Sequence, residues 1–448
     1  MRPEGGDGLL RVIGPAGLTA SVINVVVGGG IFALPAVLAV TLGPAAPLAF
    51  LISAGVMGLV TVSIARAGSR VARSGGVYAY AEAAFGSLAG FLTGVLFWTA
   101  GVLSSAGVAA GLVESLASLE PALDRPLERG AVLVLLYGIL TWVNLRGVRA
   151  GTRLAALTAT LKFAALLLFV VLGATLVRPE HLVWSAMPAA TDLGRGAILG
   201  IFALAGMEIA LGASGEVRDP ARTIPRALFA AGTLIVLLYL SIQLVAQGVL
   251  GPALAGSSAP LADALARGGA AGRYFILAAG AVSMFGWLAG DLLGSSRQLF
   301  AFGREGFLPA RLGAVHPVTR VPHVAVVAHA TVSCLLALTG TFSTLAMLAS
   351  VAVILLYLSC CVAAWALTRG SSRRAWVVPT LAITGLLWVL SSATTGEFLA
   401  VLVVLAGAGL LYRVTAGRRA ALPAPAQAEY APGRGDPAAH ARMERDHG

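Results

Sequence analysis

Long apolar blocks alternate with short, arginine-bearing segments along nearly the whole chain. Twelve blocks lie near residues 16–40, 44–65, 88–117, 130–145, 154–177, 196–217, 226–250, 273–301, 323–341, 344–368, 375–394 and 397–415. Each is near the length of about 20 residues that an α-helix needs to cross the hydrocarbon core of a bilayer, the fourth being short. The pattern predicts an all-α polytopic membrane protein with twelve transmembrane helices, filling residues 16–415. Residues 1–15 read as a short cytoplasmic lead. Residues 416–448 are rich in Ala, Pro, Arg and acidic residues with little apolar patterning, and read as a disordered cytoplasmic tail. The loops between blocks are too short for a soluble domain. No small-residue cleavage pattern ends the first block, so a cleaved signal peptide is not expected.

Composition agrees with the pattern, and charge adds an orientation. Of 448 residues, 58% are hydrophobic and 11% charged, where a soluble domain carries about 25% charged residues. A net charge of +11 would by itself admit a nucleic-acid partner. The arginines sort by side instead. With the N-terminus in the cytoplasm, 24 of the 30 arginines fall on the cytoplasmic side, among them Arg66, Arg70, Arg73, Arg146, Arg218 and Arg304. Arg125, Arg129, Arg178, Arg195, Arg267 and Arg273 fall outside. This positive-inside bias places both termini in the cytoplasm of a multi-pass protein of the inner (plasma) membrane, and excludes nucleic acid as the reason for the charge.

Cys334, Cys360 and Cys361 lie within apolar blocks, without metal-ligand or disulfide-framework spacing, and read as small packing residues. The histidines form no cluster with ligand spacing, and only His329 falls inside the bilayer. No nucleophile–base pairing, phosphate loop or metal motif is visible. Neither an enzyme nor a bound cofactor or metal is expected.

The one remaining basic residue, Lys162, is the only lysine in the chain, and it lies in a block otherwise without charge. An ammonium at that depth costs roughly 2.5–3.5 kcal/mol on insertion scales, and such residues mark ion or proton pathways. Lysine is also a base that changes protonation readily on burial. Two other blocks are interrupted by small residues at mid-span. The first carries Gly28-Gly29-Gly30, and the sixth carries Phe202-Ala203-Leu204-Ala205-Gly206. A glycine run here serves either a helix break or close helix packing. A break exposes backbone groups that are tolerated only where they line a cavity or meet a ligand. Half-helix N-termini attract a carboxylate and freed carbonyls attract an ammonium, so a zwitterionic amino acid satisfies both. The two interruptions lie five blocks apart, so two five-helix units would run in opposite directions across the bilayer.

Longer motifs carry a resemblance. Gly28-Gly29-Gly30-Ile31-Phe32 followed by Ala33-Leu34-Pro35 resembles the first-helix signature of the amino acid–polyamine–organocation (APC) transporter family. Arg73-Ser74-Gly75-Gly76-Val77-Tyr78-Ala79-Tyr80 with Glu82-Ala83-Ala84-Phe85-Gly86 is similar to that family's loop after helix 2. Asn144-Leu145-Arg146-Gly147-Val148 and Leu161-Lys162-Phe163 resemble its helix 4–5 junction and helix 5. Glu216 through Arg226 resembles its loop after helix 6, and Arg304-Glu305-Gly306-Phe307-Leu308-Pro309 with His316-Pro317 its loop after helix 8. The motifs run in order from about residue 16 to 370. Gly29 stands where a serine is common, Met207 where an aromatic often precedes the acid, Gly215 replaces one of two adjacent acids, and Asp219 a usual Asn.

The resemblance implies a LeuT-like 5+5 inverted repeat with helices 1 and 6 broken. Repeat one covers about 16–177, repeat two about 196–368, and helices 11–12 about 375–415. It implies transport of amino acids or related amines by alternating access. A lysine at the position of Lys162 is implied to couple transport to protons where relatives hold sodium.

Under this reading the substrate carboxylate meets amides at Gly28, Gly29 and Gly30, flanked by Val27 and Ile31. The ammonium meets carbonyls at Phe202, Ala203, Leu204 and Ala205. Phe202 is either an outer gate or ordinary packing. Lys162 either turns over a proton or pins helix 5 to helix 1. Glu208 senses pH or bonds a backbone group. Asp291 faces the cavity or pairs with a polar neighbour such as Ser283, Ser295 or Lys162. Ser104, Ser105, Ser295 and Ser296 are possible cavity residues, Glu114 sits near an outer helix end, and Arg73, Glu216, Arg218 and Arg222 read as gate or loop-anchoring charges. The expected activity is proton-coupled symport of a neutral amino acid, with protons, substrate and the lipid bilayer as partners. An exchanger without proton coupling and a transporter-fold sensor are the alternatives.

Overall fold

Proline and glycine punctuate the apolar blocks where the helices begin and end. Pro15, Pro126 and Pro260 each stand at the start of a helix, where a missing N–H costs nothing because that donor has no intrahelical partner. The computed structural model describes residues 14–68, 77–146, 148–184, 186–206, 217, 220–368 and 373–416. Among these the α-helices are α1 Pro15–Val26, α2 Leu34–Leu42, α3 Pro47–Gly68, α4 Val77–Phe85, α5 Ser87–Ala117, α6 Pro126–Leu145, α7 Val148–Ala174, α8 Ala190–Leu204, α9 Pro220–Leu250, α10 Pro260–Ala266, α11 Ala270–Arg304, α12 His323–Thr339, α13 Phe342–Leu367, α14 Arg373–Leu390 and α15 Thr395–Val414.

Each of the twelve apolar blocks coincides with at least one helix. Seven helical segments, based on α3, α5, α6, α9, α11, α13 and α15, are long and apolar enough to cross a membrane, and shorter apolar helices accompany them. The fourth block looked short because its first turn is polar. α6 starts at Pro126 and carries Glu128 and Arg129 before the apolar run, which gives it 20 residues. The protein is therefore an integral membrane protein built from helices. Nearly all of residues 1–15 and 416–448 lie outside the described residues, as do Arg73, Glu208, Glu216 and Arg218.

α5 and α13 pack along each other at the centre; 78% and 72% of their most apolar windows are buried, against 11% for α15. α5 also meets α11 and α12, α11 meets α7, α3 meets α8, and α1 meets α9. α15 lies at the periphery and exposes Leu399, Val403 and Leu410, apolar surface of the kind a bilayer covers. Small residues set how closely helices approach. On α8, a side chain at Gly200 would collide with Ser53 Oγ of α3. That hydroxyl donates to Ala49 O at 2.7 Å and contacts Ala197 O at 3.0 Å, which ties the two helices.

At the end of α5, Glu114 caps the next central helix. Its Oε1 accepts from Phe342 N at 3.1 Å, and Arg129 Nη2 lies 3.5 Å from it while donating to Gly340 O at 2.9 Å. A carboxylate suits a helix N-terminus, whose unpaired amides carry partial positive charge. Glu114 thus lies in the last turn of its helix, as its sequence position suggests.

Candidate functional site

The first apolar block breaks at its glycines. Val27 leaves the helical region with ψ 82°. In a continuing helix the amide of Gly28 would bond the carbonyl of Asn24, four residues back. It bonds Val26 O instead, at 2.7 Å, while Val27 N takes Ile23 O at 2.9 Å. The Asn24 carbonyl is thereby released. A 3-10 turn over Gly29–Phe32 follows, and α2 resumes with Pro35 in its first turn. The leading amides of such a turn, at Gly29 and Gly30, have no acceptor within it.

Three helices hold this break. Lys162 on α7, buried at 4% exposure, donates from Nζ to Asn24 O at 2.7 Å. The sole lysine thus occupies the carbonyl that the break sets loose, at the end of α1 where the helix dipole is negative. From α9, the Tyr239 hydroxyl donates to Val26 O at 3.2 Å, and one turn further along Gln243 Nε2 lies 3.5 Å from Pro35 O. One helix therefore touches both halves of the broken one. The third is α11. A Cβ at Gly28 would sit 2.9 Å from Trp287 Nε1, and one at Gly29 would collide with Met284 and lie 2.9 Å from Val108 Cγ1 of α5.

A second break abuts the first. α8 ends at Leu204, Ala205 is extended with ψ 151°, and Gly206 adopts φ 107°, a region that favours glycine. The last four carbonyls of a helix have no partner within that helix. Gly206 N donates to the Tyr357 hydroxyl of α13 at 3.4 Å. A Cβ on Gly206 would lie 3.2 Å from Val25 Cγ1, and one on Gly30 2.8 Å from Phe202 Cε1. Phe202 also meets Phe342 edge to face, ring centroids 6.1 Å apart, and so bridges the first break to the start of α13.

The structure therefore brings Val27, Gly28, Gly29, Gly30 and Ile31 together with Phe202, Ala203, Leu204 and Ala205, and sets Lys162 beside them. Phe202, Ala203 and Leu204 are still helical, so the second interruption begins one residue beyond them. Glu208 lies outside the described residues. Asp291 does not meet Lys162; it pairs with His329 on α12 and with Ser295. Ser105 bonds the Tyr137 hydroxyl at 3.2 Å, whereas Ser283 and Ser296 have buried hydroxyls without a partner among the described residues.

Sequence reasoning missed Met284, Trp287, Tyr239 and Tyr357. A signal existed for the tyrosines, since a hydroxyl in the middle of an apolar helix must find an acceptor. Amides at one break, carbonyls at the other and apolar walls between them can bind a small zwitterion. They offer nothing for covalent chemistry.

Comparison with known proteins agrees with this geometry. A family model described as amino acid permease matches residues 13–409. The chain belongs to the amino acid permease family.

Among its relatives is the branched-chain amino acid permease BcaP of Bacillus subtilis (strain 168), 28% identical over 353 residues, covering 74% of this chain and 76% of that one. The methylthioribose transporter of the same organism is 28% identical over 338 residues, 70% of this chain and 72% of its own. An uncharacterized transporter of Mycobacterium tuberculosis (strain ATCC 25618 / H37Rv) is 32% identical over 330 residues, 70% and 71% of the two chains. The permease is a transporter and not an enzyme.

Tyr239→Phe tests how the break is held. Losing a neutral hydrogen bond of about 1 kcal/mol should weaken binding of an amino acid substrate by roughly five-fold in the purified permease. Unchanged binding would show that α9 does not position the break.

Proposed function

We propose that the permease moves neutral amino acids across the inner membrane by alternating access, in symport with protons. The observation that carries this reading is the Lys162 Nζ contact with Asn24 O, the carbonyl released by the broken first helix. An ammonium there takes the place of a bound cation. While it is protonated, the tie holds α1 against α7; when the proton leaves, the tie weakens and α1 is released toward the inward-open state. The substrate carboxylate lies at the amides of Gly28–Gly30 and its ammonium at the terminal carbonyls of α8. Phe202 closes over it from the outer side.

Twelve spans in a 5+5 inverted repeat fit this arrangement. α1 and α2 form broken helix 1, α8 opens broken helix 6, and the interruptions meet at Val25 and Gly206. The arginine distribution supports cytoplasmic termini. The wall of Val108, Phe202, Met284 and Trp287 is apolar or aromatic and favours a neutral side chain. Branched-chain amino acids, named for one relative, are the first substrates to try.

Reconstituted vesicles test the reading. Labelled leucine, other amino acids across side-chain classes, and methylthioribose would be offered with and without an inward proton gradient, to empty and to preloaded vesicles. Gradient-stimulated uptake into empty vesicles is the expected result. Uptake only into preloaded vesicles, indifferent to the gradient, would establish an exchanger and leave Lys162 as a fixed pin.

A further inference from the structure

Away from the two breaks, α11 and α12 bury a second ionisable pair. Asp291 Oδ2 lies 3.2 Å from His329 Nε2, and Asp291 Oδ1 accepts a 2.7 Å hydrogen bond from Ser295 Oγ. The histidine side chain is 0% exposed and the aspartate 10%. His329 sits six residues into α12, about 9 Å from the start of that helix at 1.5 Å per residue. Gly101 on α5 makes room for the group, since a Cβ there would lie 2.5 Å from Ser295 Oγ and 3.6 Å from Asp291 Oδ1. Trp98, on the preceding turn of α5, meets the imidazole edge-on with ring centroids 6.5 Å apart.

The hydrogen bonds define what the pair can do. Nε2 faces a carboxylate, so the network assigns the ring hydrogen to it. Nδ1 of the neutral ring is then a bare lone pair, and it is buried without a hydrogen-bond partner among the described residues. With His329 neutral and Asp291 ionised, the cluster carries one negative charge that is largely shielded from water. A proton added to the Nδ1 lone pair makes an imidazolium beside a carboxylate, with no net charge. No other bond forms or breaks, and Asp291 remains the counter-ion.

The pair is also connected to the substrate site. Met284, Trp287 and Asp291 are spaced by three and four residues, which puts them on one face of α11. The first two close on Gly29 and Gly28.

We propose that Asp291 and His329 form a proton-binding site of the permease, separate from Lys162, through which α11 carries proton occupancy to the substrate site. Its link to substrate rests on the transport reading above; proton binding at His329 does not.

The other titratable groups on the surrounding elements are engaged or lie apart. Tyr137 on α6 faces Asp291 and bonds Ser105, and Lys162 on α7 bonds Asn24. Glu114 on α5 is held by Arg129 and Phe342 N, and Asp263 on α10 pairs with Arg273. Cys334 and His323 share α12 with His329. Arg297 and Arg304 on α11, and Arg311 in the turn Ala310–Gly313, are exposed toward the cytoplasmic end.

Nitrogen-15 NMR of histidine-labelled permease in liposomes, without substrate, reads the site directly. Between about pH 8 and 5, the range in which histidine changes charge, the Nδ1 signal absent from His329→Gln should move from the bare to the protonated position. In Asp291→Asn that change should be lost, because the counter-ion is gone. A His329 Nδ1 that keeps one state throughout would overturn the proposal.

If His329→Gln does not fold, the signal that responds to Asp291→Asn identifies the residue. If neither variant folds, a variant with the other five histidines replaced by Gln leaves His329 as the sole labelled ring, and that ring must change state over the same range. Labelled leucine binding supplies the second readout. Its pH dependence should flatten toward a ratio of one in Asp291→Asn, and an unaltered ratio would sever the link to α11. Titration without leucine uptake by any vesicle preparation would sink the transport reading and leave the proton site standing; uptake without titration would do the reverse.

Discussion

Lys162→Ala is expected to abolish stimulation of uptake by an inward proton gradient, while exchange between preloaded vesicles remains measurable. The reason is local. Nζ is the donor that satisfies Asn24 O, a carbonyl with no helical partner because Gly28 N turns back to Val26 O. Removing the donor leaves a half-buried carbonyl without this partner, at a cost of up to about 1–3 kcal/mol, and α1 loses its tie to α7. Exchange needs only that the helices rearrange with substrate bound, whereas net symport needs a group that gives up and regains a proton. Lys162→Gln separates the two roles. Its amide is a donor one bond shorter and does not titrate, so any thermal stability it restores should come without gradient dependence. Gradient stimulation that survives in both variants would return Lys162 to the role of a structural pin.

Gly29→Leu is expected to reduce leucine binding by at least ten-fold. Already the first side-chain atom has no place to go. It would collide with Met284, sit 2.9 Å from Val108 Cγ1 and lie 3.1 Å from the Met284 backbone Cα. Overpacking of this kind costs about 1–3 kcal/mol, occasionally more, and here the strain falls on the amides proposed to receive the substrate carboxylate. Gly29→Ala should give a smaller loss, and Met284→Ala should partly rescue it by removing the atom that collides. The rescue stays partial because Val108 and the Met284 backbone remain close. A double-mutant cycle on binding measures that coupling. Normal affinity in Gly29→Leu would place the substrate site away from the break.

Both predictions rest on contacts between residues far apart in the chain, and this marks where sequence reasoning ended. Apolar block length, the glycine interruptions and the isolation of Lys162 are all visible along the chain itself. The Lys162 partner lies 138 residues away on α1. Asp291 illustrates the difference further. Its charge in an apolar block marked it as unusual, and Ser295, one turn along the same helix, was foreseeable as a neighbour. His329, the decisive partner, was legible only as a histidine within the bilayer. Trp98 and Gly101 on α5 gave no warning that they would frame the pair.

By itself the sequence determined that this is a helical integral membrane protein, roughly where its helices run, and that its first and sixth apolar blocks carry runs of small residues at mid-span. Those properties follow from hydropathy and backbone freedom, which are local. Only the tertiary structure decided which carbonyl Lys162 takes, which ring Asp291 faces, and that Met284 and Trp287 close on the glycines. Each residue turns a helix by about 100°, so a boundary error of one or two residues redirects every side chain to another face. Which faces then meet is decided by how helices from distant parts of the chain pack together.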